Sequence, residues 1–372
     1  CMDDQTATVE KGQRTLIVID EAQHMLDHKL QNKRDSVFHA LRRELAPEKA
    51  QSVFVLLVST TSRVSNFWPS EQAASESDRS GGLRNPVITL LGSFDARNRA
   101  CAADTAVAES GGVASEAQAQ PGDIRGYGRP LWMAYKTVEA AVDMGVRKLT
   151  LQTGDRDLNI PKLLDDQGLG LLAVAAVRLA VHILPTHSDA QSLVAKHVAT
   201  LLAVATDRSK VVVAYPPEPI LSEAAARVWH WKAPPLCGKR NGPCSTACNL
   251  PAVLKILATK IGDCLVSRGE RGELVAKIML LLAADGCERL YGGELFSEPF
   301  TLTALLKELA RYTATEAISI DIGGTVQLMS FVQLDQIGDR DPQVMLEQMY
   351  DRCVGGVMPP NYTGADLMIP FR

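Results

Sequence analysis

Apolar residues near the N-terminus fall in short unbroken runs, and further along they fall at helical spacing. Thr15-Leu16-Ile17-Val18-Ile19 is a continuous β-rich run that ends at Asp20-Glu21. Such a run reads as a strand buried on both faces of a parallel sheet. A helix is expected from about Gln23 to Leu45, stopped near Pro47. The next apolar run, Val53 to Val58, ends at Ser59-Thr60-Thr61. Strand, helix and strand at this spacing make a βαβ unit and an open α/β sheet.

Residues 98–125 are rich in Ala, Gly, Ser and Gln without an apolar period, and read as an insertion or linker. From Leu131 to Ala205 the spacing is mostly helical, with a short strand expected near Lys148 to Gln152. Val211 to Ala214 reads as another strand, and Pro216, Pro217 and Pro219 lead into a helix at Leu221 to Trp231. Residues 233–251 carry four prolines and three cysteines and mark an expected domain boundary. Beyond it, Leu274, Ile278, Leu281 and Leu282 follow an i, i+4, i+7, i+8 pattern, which predicts an amphipathic helix over 270–285. Further helices are expected at Leu302 to Tyr312 and Val344 to Cys353, and extended segments at Ile318 to Ile322 and Val326 to Val332.

Composition narrows the class. The 372 residues are 46% hydrophobic and 22% charged, the balance of an ordinary globular protein and not of a disordered chain or coiled coil. A net charge of −4 provides no global field for nucleic acid, so any such site has to be a local patch. The longest apolar runs, Leu169 to Val177 and Ile278 to Ala284, fall well short of the ~20 residues of a membrane span. No secretory signal opens the chain, and eight cysteines are too sparse for a disulfide scaffold. No membrane association and an intracellular location, cytoplasm or nucleus, are expected.

The leading chemical signal is Asp20-Glu21 at the end of the first strand. A P-loop NTPase holds Mg²⁺ and activates water there, with the Asp in the metal shell and the Glu polarising the water. Thr60 or Thr61, ending the neighbouring strand, could sense a γ-phosphate. The plainer alternative is a strand that ends in two solvated acids before a helix N-terminus. The partner motif Gly-x-x-x-x-Gly-Lys-Ser/Thr does not occur in the chain. With Cys1 as first residue and Leu367 to Pro370 reading as a strand without its partner, the chain is expected to be a fragment.

Other patterns carry less. Asp20-Glu21-Ala22-Gln23 with Ser59-Thr60-Thr61 also suits a DEAD-like helicase remnant, but no Arg-rich second domain follows. Asp321-Ile322-Gly323-Gly324-Thr325 resembles a sugar-kinase phosphate loop and reads better as a turn between strands. Cys237, Cys244 and Cys248, near His230, lack the paired spacings of a structural zinc site and read as free thiols. His182, His187 and His197 read as packed or surface residues on helices. Glu273, in a helix first turn, and Asp366, opening a strand, suit the first two acids of a restriction-endonuclease-like Mg²⁺ site, but no Glu-x-Lys follows them, and each also reads plainly, as a first-turn acid and a turn residue.

Six stretches in order resemble Crinkler-like fungal proteins, which pair a P-loop NTPase with a restriction-endonuclease-like domain. They are Leu16-Ile17-Val18-Ile19-Asp20-Glu21-Ala22-Gln23, Leu57-Val58-Ser59-Thr60-Thr61-Ser62, Gly128-Arg129-Pro130-Leu131-Trp132, and the stretches at 215–225, 268–276 and 359–370. The resemblance implies Mg²⁺ and ATP as cofactors, with Asp20 on the metal and Glu21 and Thr60 in catalysis. It implies Glu273 and Asp366 as nuclease residues, Asp366 on metal, and nucleic acid as partner of the full-length protein.

The expected fold class is therefore α/β: a partial parallel P-loop NTPase-type sheet, a helical middle and an incomplete α/β nuclease-like domain. The expected organisation is 1–97 NTPase core, 98–125 low-complexity insertion, 126–232 helical region, 233–251 linker and 252–372 nuclease-like domain. This fragment of an ATP-dependent NTPase–nuclease-like protein is expected neither to hydrolyse ATP nor to cut nucleic acid. The rival expectation is a non-enzymatic interaction module with vestigial acidic sites.

Overall fold

A computed structural model describes residues 15–19, 22, 25, 37–44, 53–57, 123–152, 168–185, 187–205, 210–231, 249–263, 271–290, 295–313, 323–334, 341–359 and 365–372. The fold is mixed α/β. Two compact units are formed, Cys1–Ile88 with Ala203–Val211, and Thr89–Leu202 with Val212–Arg372.

In the first unit, β1 (Thr15–Ile19) and β2 (Val53–Leu57) pair in parallel, with α1 (Val37–Glu44) between them in sequence. Both apolar runs thus become strands, as their β-branched composition predicts. The expected burial of β1 on both faces is not found. Leu16, Ile17 and Val18 are 64%, 40% and 56% exposed. Among the described residues the sheet has only these two strands, not the wide parallel sheet, covered on both faces, that such a buried run implies. Of the helix expected over 23–45, the described parts are Met25 and α1, which buries Phe38.

The second unit is built on helices. α2 (Val138–Thr150) starts at Thr137, whose hydroxyl accepts from the Ala140 amide. That helix runs through the stretch expected to be a strand at 148–152, ending only at Leu151 in the left-handed region (φ 56°). α3 (Leu169–Leu179) and α5 (Pro219–Trp229) are buried over their whole length. Between them in sequence lie α4 (Ser188–Lys196), β3 (Thr200–Val204) and β4 (Val211–Ala214), of which Ala203, Val204 and Val211 belong to the first unit. β3 falls where helical spacing was expected, and it pairs with β4. α6 (Leu250–Gly262) follows.

The remainder is α7 (Arg271–Leu290), β5 (Phe300–Thr301), α8 (Leu302–Thr313), β6 (Thr325–Val326), β7 (Ser330–Gln333), α9 (Pro342–Asp351), β8 (Val354–Val357) and β9 (Leu367–Met368). β7 and β8 are parallel, β8 and β9 antiparallel, and β8 is central. The strand is Val354-Gly355-Gly356-Val357, wholly buried, with the Phe331 ring over Gly355 and Leu334 over Gly356. α3 packs on α2, α5, α6, α7 and β7. The boundary expected at 233–251 lies outside the described residues apart from 249–251. Asn249, near the end of that stretch, donates its side-chain amide to the Val228 and Trp231 carbonyls at 2.9 and 3.0 Å. The insertion expected at 98–125 lies outside the described residues apart from 123–125.

Candidate functional site

Asp20, Glu21 and Thr60 lie outside the described residues, but the strands that precede them do not. The register pairs Thr15 with Val53 and continues to Ile19 with Leu57. Both strands therefore end at one edge of the sheet. In sequence, Asp20 follows Ile19 directly, and Ser59-Thr60 follow Leu57 after one residue, Val58. An antiparallel pair would have sent the two ends to opposite edges.

Glu273 is half-buried in the first turn of α7, and Asp366 is exposed immediately before β9. The Asp366 backbone carbonyl accepts from the Met358 amide at 2.9 Å. Among the described residues, no three His, Cys, Asp or Glu side chains gather as metal ligands. Cys237, Cys244 and Cys248 lie outside the described residues. His230 is engaged elsewhere: its Nε2 is 2.8 Å from Asp285 Oδ2. His187 caps α4 by accepting from the Asp189 amide, His197 is buried at the end of that helix, and His182 lies exposed outside any helix.

Two of the sequence stretches meet. Glu218, at the start of α5, leaves its own helix uncapped and turns its buried carboxylate toward 128–132. There it accepts from Trp132 Nε1 at 2.7 Å and from the Arg129 amide at 3.2 Å, and pairs with Arg129 Nε at 3.1 Å. Gly128 (φ +87°) passes so close that a Cβ would lie 2.5 Å from Glu218 Cγ. Glycine is required here by both its dihedral and its space. Arg129 also donates to the Val198 carbonyl, and Tyr215 donates to the His197 carbonyl at 3.0 Å. Burial pushes the Tyr215 hydroxyl far above its ordinary range.

A second group of charges lies deeper. Arg178, on α3 and fully buried, donates to both Asp285 oxygens at 2.8 and 2.7 Å and to the Met329 carbonyl at 2.9 Å. Its guanidinium also stacks 4.4 Å from the centre of the Trp229 ring. Burial alone would raise the Asp285 carboxyl, but the charge of Arg178 and the His230 hydrogen bond outweigh it and hold Asp285 at about 2. Glu223, one turn before Arg227 on α5, accepts from Arg227 Nε at 3.3 Å and from the Phe296 amide at 2.8 Å. Arg227 in turn makes a bidentate pair with Glu139 of α2, at 2.6 and 2.7 Å. The hydrogen bonds from Arg227 hold Glu139 below the ordinary carboxylate range. Ser222 and Ser330 share a buried hydroxyl–hydroxyl bond of 2.8 Å.

Residues 165–372, more than half of the chain, match the model of a domain of unknown function (DUF8736). The chain belongs to the DUF8736 family. Residues 3–85 match a second domain of unknown function (DUF8735), which takes in β1, α1 and β2. No curated protein and no solved structure matches the chain.

The DUF8736 match holds most of the charges that sequence reasoning did not single out: Arg178, Glu218, Glu223, Arg227 and Asp285. One signal was available, since Arg178 is the single charged residue in the apolar run of α3, and a lone charge in a buried helix demands a partner. The DUF8736 match also spans 233–251. Among the described residues, no helix is long and apolar enough to cross a membrane.

Proposed function

We propose that this chain is an NTPase–nuclease-like protein of the Crinkler-like kind, acting in cytoplasm or nucleus, in which the acidic edge of β1–β2 is the nucleotide half. The parallel register of β1 with β2 carries the reading. It brings the strand end before Asp20-Glu21 and the strand end before Ser59-Thr60 to one edge. By resemblance, Asp20 would hold Mg²⁺ with ATP, Glu21 would orient the attacking water, and Thr60 would sense the γ-phosphate. Bound there, Mg²⁺–ATP supplies the phosphoryl group and neutralises its charge. No Gly-x-x-x-x-Gly-Lys-Ser/Thr is present in this sequence to cradle the β- and γ-phosphates, so binding without turnover is expected of the chain.

The nuclease half rests on order alone. α7 carries Glu273 in its first turn, the β7–β8–β9 sheet follows, and Asp366 immediately precedes β9. Two acids without a third do not make the nuclease metal site among the described residues. We draw no cleavage step through them, and nucleic acid is proposed as a partner that the chain does not cut.

The test is binding of a fluorescent ATP analogue with and without Mg²⁺. The expected result is Mg²⁺-dependent binding that Asp20→Asn abolishes and Glu21→Gln retains. Binding that ignores both Mg²⁺ and Asp20→Asn would overturn the reading.

A further inference from the structure

We propose that residues 123–152 are the first part of the domain that the DUF8736 match covers only from residue 165, and that α3 and α5 form a docking surface with this stretch of the same chain as its one occupant. The inference stands apart from the nucleotide reading. Residues 123–152 hold two 3-10 turns, Ile124–Gly126 and Pro130–Ala134, and α2. They precede the match, yet they lie in the same compact unit as most of it.

A helix added to the outside of a finished domain leaves beneath it a face that water can cover again. The face under α2 is of another kind. α5 is buried along its whole length, and α2 packs on it and on α3. Gly145 of α2 approaches α5 so closely that a Cβ there would lie 2.9 Å from Ala224 Cβ. Ile220 and Ala224 of α5 are wholly shielded from solvent, as are Trp132, Ala141, Val142 and Leu149 of the upstream stretch. Apolar surface on both sides is removed from water in one step, which is what drives such faces together.

The polar contacts point the same way. Glu218 stands where an acid would cap α5, and its side chain caps nothing. The donors to its buried carboxylate are the Trp132 indole, the Arg129 amide and Arg129 Nε, all from the upstream stretch. Arg227 of α5 takes Glu139 of α2 through two bonds. The Leu149 carbonyl can only accept, so His197 donates its Nδ1 hydrogen there, across 2.8 Å. Tyr127 reaches the end of α9, where its hydroxyl donates to Asp351 at 3.3 Å and the Arg352 guanidinium lies 5.4 Å from the centre of its ring.

Without 123–152, α5 loses its apolar cover and Glu218 loses its donors together. Glu218 gives up a cap on its own helix to bind this stretch, so the start of α5 is built for its occupant. The upstream stretch and the matched residues therefore form and unfold as one cooperative unit.

The experiment is hydrogen exchange of the whole chain, read by mass spectrometry over a series of urea concentrations below the unfolding midpoint. In wild type the slowest amides of α2, α3 and α5 are expected to exchange through one opening, at matching rates and with the same urea dependence. Amides of α2 that exchange through an opening in which α3 and α5 stay protected would overturn the proposal. Trp132→Phe takes one donor from Glu218 and is expected to speed exchange in all three helices by the same factor, about 5- to 150-fold. Faster exchange confined to 123–152 would overturn it as well. The wild-type comparison needs no variant, so it decides the matter even where Trp132→Phe fails to fold.

Discussion

Arg178 and Asp285 lie 107 residues apart in sequence and meet through two hydrogen bonds, of 2.8 and 2.7 Å, in a site closed to solvent. The pair ties α3 to α7, and the third guanidinium bond, to Met329, ties both to the segment before β7. Removing one member leaves the other charged, buried and unmatched. Arg178→Ala and Asp285→Ala are each expected to destabilise the fold by about 3–5 kcal/mol. The double variant is expected to lose less than the sum of the two, because the orphaned charge is absent. Chemical denaturation of the three variants measures both quantities.

The same pair sets an acid limit. Asp285 is held at about 2, below its ordinary 3.8, so the unfolded chain takes up a proton before the folded one does. The resulting stability is present above the ordinary value and is lost as pH falls through about 2. Denaturation midpoints at descending pH are expected to drop in wild type over that window. The Asp285→Asn variant, weaker throughout, is expected to lack this part of the fall.

Glu218 organises the 128–132 stretch. Trp132→Phe removes the indole donor and leaves a buried carboxylate one hydrogen bond short, at an expected loss of about 1–3 kcal/mol. Gly128→Ala is expected to be worse, since it combines a left-handed φ of +87° with a Cβ 2.5 Å from Glu218 Cγ. Thermal denaturation should rank Gly128→Ala below Trp132→Phe, and both below wild type.

Gly355 permits the Phe331 ring to lie directly on the central strand, where a Cβ would come within 2.6 Å of Phe331 Cε1. Gly355→Ala is expected to destabilise by about 1–3 kcal/mol through overpacking. Phe331→Leu in the same chain should recover part of that loss. Equal stability of the single and double variants would place the clash elsewhere.

The sequence made legible those elements whose signal is local. β1 and β2 follow from unbroken β-rich runs, and α7 and α8 from apolar spacing. Lys148 to Gln152 misled because Leu149-Thr150-Leu151 is apolar and β-prone, while the Thr137 cap carries the helix on to Thr150. Exposure of β1 was not legible, because a run of apolar residues does not say whether any layer covers it. Of the candidate site, the shared edge followed from the strand–helix–strand order. The cluster did not, since Arg178, Glu223 and Asp285 come together only through the packing of α3, α5 and α7. Glu139 reads in sequence as an ordinary first-turn acid, and only the fold gives it Arg227.

The central claim is that the β1–β2 edge takes a metal–nucleotide complex through Asp20. Electron paramagnetic resonance of Mn²⁺, used in place of Mg²⁺, tests it most directly. The account predicts a protein-bound Mn²⁺ signal that appears only with ATP and disappears in Asp20→Asn. A bound signal that needs no ATP, or one that Asp20→Asn leaves intact, would contradict it.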